Sequence, residues 1–295
     1  MYDRFKCSLF FCTWIAFSGV FLFNCSFGLP QLRDKSILDL SAAEKLEAEK
    51  QLLMIKAGGA DIDRPIDSQG DTQLFRAAAE GRFAVVKLLL ENGADPNLAN
   101  SRGITPLMAA ASQGRLVAWK KDGFKVVYLL LREGAKINDR DQEKNTALMY
   151  AASSGDHRAV GVLLLAGANT SLKNRYELSA LAMADRIGYD GGNAAGMLNQ
   201  FSTMKVTPLI WSSYFDSNFA LILLAMGANP NDRHSLGGTA LHLASMAGHT
   251  ELVRKLISAG ANVNAKDDNG DTPMKAALLK NHTEIVLILK NAGGK

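Results

Sequence analysis

Five histidines and one acidic run are the side chains in this chain whose types could hold a metal or move a proton. They are His157, His234, His242, His249 and His282, and Asp267, Asn269 and Asp271. The acidic run opens like a calcium-binding loop, but Thr272 stands where the loop needs glycine. Leu278 stands at its twelfth position, so the bidentate carboxylate of a calcium cage is missing. The histidines are dispersed and periodic, which points to structural hydrogen bonding rather than a ligand set. Gly191–Gly196 is glycine-rich, yet it lacks the preceding strand and the lysine of a phosphate-binding loop. HExxH, GxxxxGK[ST] and GxSxG are all absent. Trp211, Tyr214, Phe215 and Asp216 could line a cleft, but no nucleophile–base pair accompanies them. All three cysteines, Cys7, Cys12 and Cys25, lie in the first 30 residues, so the remainder has no disulfide or thiolate metal site. The expectation is a chain with no catalytic residue, no metal and no cofactor.

The spacing that organises the chain is longer. A Thr or Ser recurs at Thr72, Thr105, Thr146, Ser179, Thr207, Thr239 and Thr272, at intervals of 33, 41, 33, 28, 32 and 33 residues. Nine residues after each comes Gly81, Gly114, Gly155, Gly188, Asp216, Gly248 or Asn281. Apolar pairs or triplets then precede Gly93, Gly134, Gly167, Gly227, Gly260 and Gly293. A Thr or Ser hydroxyl caps a helix by accepting from a free amide of the first turn. Pro106, Pro208 and Pro273 follow their caps where a missing N–H costs nothing. Glycine takes positive φ and stops the helix. Each helix then spans about 8–10 residues, below the roughly 12–15 needed for independent stability. Such helices persist only when stacked on neighbours.

The unit Gly238–Asn264, GTALHLASMAGHTELVRKLISAGANVN, closely resembles the ankyrin-repeat consensus, whose period is about 33 residues. The resemblance extends over nearly all the chain after its leader. It implies an all-α solenoid of stacked helix–turn–helix units with short β-hairpin fingers. The expected layout is a capping half-repeat over 38–68 and about seven repeats over 69–295. In the half-repeat, Ser41 and Glu44 have capping-box spacing, and Leu46, Leu52, Leu53 and Ile55 supply an apolar helix face. The second repeat carries an insertion near 115–123, with Trp119, Lys120 and Lys121, which either contacts a partner or folds back on its own unit. The fourth, 177–204, is degenerate and short. Glycines inside a helix cost about 1 kcal/mol each relative to alanine, so local opening is expected there first. The seventh has the polar character of a terminal cap.

The first 28 residues read as a leader, followed by a tether over 29–37. Arg4 and Lys6 precede an uncharged, Phe-rich run from Cys7 to Leu29, the arrangement of a secretory signal peptide. The run is also long enough for a membrane-spanning anchor, for which about 20 apolar residues suffice. Leu22-Phe23-Asn24-Cys25 resembles a bacterial lipobox, which implies lipidation of Cys25, and Ser26 resembles an outer-membrane sorting signal. Cleavage near Gly28 is the competing reading. The expectation is an exported protein of the periplasm or outer membrane, tied to the membrane by lipid or by an uncleaved leader.

The ankyrin resemblance implies a non-enzymatic scaffold that binds a protein partner on a concave surface of fingertips and inner-helix ends. Interface anchors favour Tyr, Trp and Arg. On that ground Arg102, Tyr176, Arg186, Tyr214 and Phe215 are the candidate partner-binding residues. Exported bacterial ankyrin proteins are in some cases associated with catalase, which implies an oxidative-stress partner. A secreted or surface-exposed effector that binds a host protein is the alternative. A formal net charge of +4 with no basic stripe gives no reason to expect nucleic acid.

Overall fold

The computed structural model describes residues 39–57, 61–112, 123–186 and 192–295. The leader, Cys25, the tether and insertion residues 115–122 lie outside the described residues. A lone helix α1 (Ala42–Ala57) is followed by seven helix pairs. These are α2 (Gln73–Ala79) with α3 (Phe83–Glu91), α4 (Pro106–Ala111) with α5 (Gly123–Arg132), and α6 (Ala147–Ser154) with α7 (His157–Leu165). Then come α8 (Ala180–Asp185) with α9 (Gly192–Met204), and α10 (Pro208–Phe215) with α11 (Ser217–Ala225). The last two are α12 (Ala240–Ala247) with α13 (Thr250–Ser258), and α14 (Pro273–Leu279) with α15 (Thr283–Asn291).

The periodic Thr and Ser residues cap the inner helices. The Thr72 hydroxyl accepts from the Phe75 amide at 3.1 Å, and Thr105, Thr146, Ser179, Thr207 and Thr272 repeat the bond three residues on. In the sixth unit His242 completes the cap. Its Nδ1 accepts from the Thr239 amide at 3.2 Å, and its Nε2 lies 3.0 Å from the Asp271 carbonyl of the next unit. The periodic histidines are thus structural: His249 Nε2 reaches the Tyr214 carbonyl and His282 Nε2 the Met246 carbonyl, each one unit back. Asn and Asp residues clamp successive exits in the same way. Asp63 accepts from the Asp95 amide, Asn97 from Lys136, Asn231 from Asn262 and Asn264 from Lys295.

Two expectations are corrected. The fingers are turns rather than β-hairpins: among the described residues there is no strand, only a bridge between Lys173 and Ser179. Each finger meets the next through a backbone bond, such as Ser101 N–H to Gln69 O at 2.8 Å and Gln142 N–H to Arg102 O at 3.1 Å. That is too few for a ladder. In α1 the buried stripe is Ala48 with Leu52 and Ile55, spaced i, i+4, i+7 against α3. Leu46 and Leu53 fall off that stripe and are 55% and 67% exposed.

Inner helices α2, α4, α6 and α8 stack in order, and α10, α12 and α14 form a second stack. Between them the register breaks. Helix α10 lies against α7 and α9, while α8 packs on α6 and pairs with α9. The sixth residue after each opener explains the break. It is Ala78, Ala111, Ala152, Ser213 or Ser245 where a following unit covers it, each fully buried, but Asp185 in the fourth unit. An unpaired carboxylate cannot be buried cheaply, and Asp185 is exposed where the other units bury this position.

Candidate partner-binding surface

The finger-to-finger bonds define one edge of the candidate surface. They run Gln69–Ser101, Arg102–Gln142 and Glu143–Arg175, then resume at Met204–Ser235 and Leu236–Asp268. Met204 is the last residue of α9, so a helix end occupies the place of a finger and the row falls into two segments. Arg102 and Tyr176 stand exposed at tips of the first segment. Each is aimed by the residue two before it, where the Asn100 and Asn174 carboxamide oxygens accept the Arg102 and Tyr176 amides at 3.0 Å. Beside Tyr176, Arg175 pairs with Glu143 at 3.3 Å.

The second edge is the row of inner-helix ends. Arg186 caps α8 and is exposed. Tyr214 and Phe215 end α10, 43% and 56% exposed. Phe215 stacks on the buried Trp211 with ring centroids 4.7 Å apart, and meets Tyr214 edge-on at 5.0 Å. A half-exposed aromatic backed by a buried one keeps its orientation without losing its contact area. The five candidates therefore do not form one patch: two are fingertips, and three are helix ends divided by the break after α8.

Reading the register onward reveals residues that the preference for Tyr, Trp and Arg passed over. Seven residues after each opener the chain has Ala79, Ser112, Ser153 and Arg186 in the first stack, but Tyr214, Met246 and Leu279 in the second. Leu279 is 67% exposed, and the fingertip Leu236 is 56% exposed. The second stack presents an apolar row where the first presents small and polar residues. Counting from the Thr would have found it.

Two polar clusters support the surface. In the third unit the Asp141 carboxylate accepts from the Asn145 amide at 2.7 Å and from the Tyr150 hydroxyl at 2.6 Å. Burial and that carboxylate push the Tyr150 hydroxyl far above the ordinary phenol range. Behind Phe215, Asp216 Oδ2 lies 3.0 Å from His157 Nε2 and 3.0 Å from Arg158 Nη2. Burial pushes the Asp216 carboxyl up, but His157, the Phe219 amide and Arg158 outweigh it and hold it below the usual carboxylate range. Asp267 accepts from the Asn269 and Asp271 amides and so shapes a finger. Among the described residues no group of three or more His, Cys, Asp or Glu could hold a metal ion. A groove of about 410 Å³ between α1, α2 and α3 is lined by Met54, Ile55 and Ala77, with Arg76 and Arg82 at its rim. Both cations are paired, to Asp67 and Glu80, and the lining holds no nucleophile with a base beside it.

Stacked, short helix pairs joined by bonded turns define a solenoid repeat protein. A family profile described as "Ankyrin repeats (3 copies)" matches residues 38–120, 74–174, 116–234 and 209–295, and the chain belongs to that family. Among curated proteins it is 38% identical over 69 residues to "Ankyrin repeat protein nuc-2" of Neurospora crassa, covering 23% of this chain and 6% of that protein. It is 39% identical over 92 residues to "tRNA endonuclease ANKZF1" of Mus musculus, covering 29% of this chain and 12% of that one. It is also 36% identical over 75 residues to "Ankyrin repeat family A protein 2" of Mus musculus, 25% and 24% respectively. The matched segments thus span a quarter or less of each relative's length. Ankyrin repeats are protein-interaction modules, and the fold described above is that of a binding scaffold.

Proposed function

We propose that this protein is a non-enzymatic scaffold of the bacterial cell envelope that grips a partner protein chiefly through its second stack. The observation carrying this reading is the aromatic step Tyr214–Phe215, held on Trp211 and continued by Met246 and Leu279. Aromatic anchors in a rigid setting give most of the energy of an interface, and surrounding polar contacts tune it. Arg102, Tyr176 and Arg186 then supply rim contacts from the first stack. Recognition involves no bond-making step.

The envelope assignment rests on the leader: Arg4 and Lys6 before an apolar run, and Cys25 in a lipobox-like setting. Lipid on Cys25, or an uncleaved leader, would tether the repeats to a membrane. A partner in oxidative-stress protection, working alongside a catalase, rests only on resemblance to exported ankyrin proteins.

The test is affinity capture from an envelope fraction by the wild-type chain and by two variants, followed by mass spectrometry. Tyr214→Ser/Phe215→Ser should lose the captured partner while remaining folded, with the wild-type far-UV circular dichroism at the capture temperature, and Arg102→Ala should weaken capture only modestly. Equal capture by all three would overturn the reading. Fatty-acid labelling of Cys25→Ala decides the anchor: the label should vanish, and undiminished label would remove lipidation.

A further inference from the structure

A repeat stack ordinarily turns a polar face to water at each end. Both ends of this array carry leucines instead. In each unit, two positions look toward the unit that follows. One is the sixth residue after the opener, fully buried under the next unit as Ala78, Ala111, Ala152, Ser213 and Ser245. The other lies six residues before the exit glycine, where Arg254 of α13 reaches forward to Glu284 of α15 at 3.2 Å. In the seventh unit these two positions hold Leu278 and Leu287, 54% and 59% exposed.

At the N-terminal end, α1 turns Ala48, Leu52 and Ile55 toward α3. Leu46 and Leu53, seven residues apart, share the opposite side of the helix, and the exposed Met54 adjoins them. Met54 also lines the groove between α1, α2 and α3, together with Gln73 and Ala77 of α2. Among the described residues no inner helix precedes α2. Each end is thus an apolar half of a repeat-to-repeat interface.

Charge decides how such ends can pair. The exposed charged residues in and just before α1 are Asp39, Glu44, Glu47 and Glu49 against Lys45 and Lys50. Those of α14 and α15 are Lys275, Lys280 and Lys290 against Glu284. Arg76 and Arg82, at the rim of the groove, are already paired to Asp67 and Glu80. Two like ends would set like charges together, whereas unlike ends set opposite charges together.

We infer that copies of this chain associate head to tail, the α14–α15 face of one seated on the α1 face and adjoining groove of the next. Leu278 and Leu287 then meet Leu46, Leu53 and Met54, with Lys280 and Lys290 facing Glu47 and Glu49 around them. A contact between two different surfaces leaves a free end on every copy, so it grows into rows or rings rather than closed twofold dimers. This association goes beyond partner binding and uses other residues.

Sedimentation velocity on the full chain at rising concentration is the test. The wild type should grow from monomer into a series of longer species. Leu53→Gln/Met54→Gln removes the apolar contact at the N-terminal end, and Leu278→Gln/Leu287→Gln removes it at the C-terminal end. All four side chains are exposed, so both variants should keep the wild-type far-UV circular dichroism. Each variant alone should stay monomeric. Mixed, they should form a dimer containing one copy of each and nothing longer, because each supplies the end that the other lacks. That result also requires both variants to be folded. A monomeric wild type would overturn the inference, and so would growth by either variant alone or a mixture that stays monomeric. Tyr214→Ser/Phe215→Ser should associate as the wild type does, so loss of partner capture and loss of association are separate failures.

Discussion

Single side chains in this array are set by where the register places them, and two of them work against the fold. Ser245, six residues after Thr239, is fully buried between the sixth and seventh units, and its hydroxyl has no hydrogen-bond partner. Ala78, Ala111 and Ala152 occupy the same position in other units. Ser245→Ala removes a buried unsatisfied group at almost no change in volume and should stabilise by about 1 kcal/mol, read as a raised midpoint in urea. Lys144 is the second. It adopts φ 61° at the finger position where Gly70, Gly103, Gly237 and Gly270 take the same left-handed conformation. A Cβ there costs roughly 1–2 kcal/mol, partly offset by the backbone entropy glycine loses on folding. Lys144→Gly should therefore stabilise by about 0.5–1 kcal/mol on those figures; an unchanged or lowered midpoint would contradict it.

At the scale of the element, the sixth finger shows one job done by a different group. Asp67, Asn100, Asn174 and Asp267 each fold their finger by accepting amides two and four residues on. His234 stands at that position and accepts the Leu236 amide on Nδ1 at 3.1 Å. Gly238 is glycine because the ring fills the place of its Cβ, with Nε2 2.3 Å from it. His242 caps the following helix through its own Nδ1. Both acceptors require neutral rings. Burial lowers both histidines below 6.5, against Asp267 and Asp268, which raise His234, and Arg233, which opposes them; for His242, the Asp271 carbonyl and Asp267 raise it, and Arg233 and His234 lower it. An unfolded chain takes up these protons more readily than the folded one, so stability falls as pH falls. It is full above 6.5 and lost through the lowered folded values. The thermal midpoint should drop between pH 7.5 and 5.5, and His234→Asn should flatten that drop; an equal drop in the variant would assign the effect elsewhere. This finger was only half legible in the sequence. The Thr and Ser caps follow from local chemistry, and each stands at the start of an inner helix. That a histidine replaces an Asp, and that a neighbouring glycine makes room for it, depends on a ring position that spacing does not carry. The row Tyr214, Met246, Leu279 was legible but hidden by composition, since it needs the register rather than the residue type. The Arg158–Asp216 pair was not legible at all, because the two residues are brought together only where a unit fails to stack.

At the scale of the molecule, the break after α8 changes which part of the array should be hardest to open. A uniform stack of nearest-neighbour units frays from both ends, and its middle is protected simply by distance from them. Here the middle unit carries glycines inside its outer helix α9, at 192 and 196, and helix α7 is held from five directions, by α5, α6, α9, α10 and the Phe219 side chain. Local opening free energies follow buried contacts, so α7 should exchange its amides slowest of all. The ends should be fast: α1 has Leu46, Leu53 and Met54 exposed, and the last unit exposes Leu278, Leu279 and Leu287, so that unit is less polar than a terminal cap is expected to be. The expected order of protection is α7 and α6 first, then α10 and α12, then α14, α15 and α1, with α9 below its sequence neighbours on both sides. Residue-resolved hydrogen exchange on the full chain tests it. A profile that rises smoothly to a maximum at the fourth unit would mean that the array behaves as an uninterrupted stack, and that the contacts of Asp216 and Phe219 with α7 and α5 contribute little to holding it together.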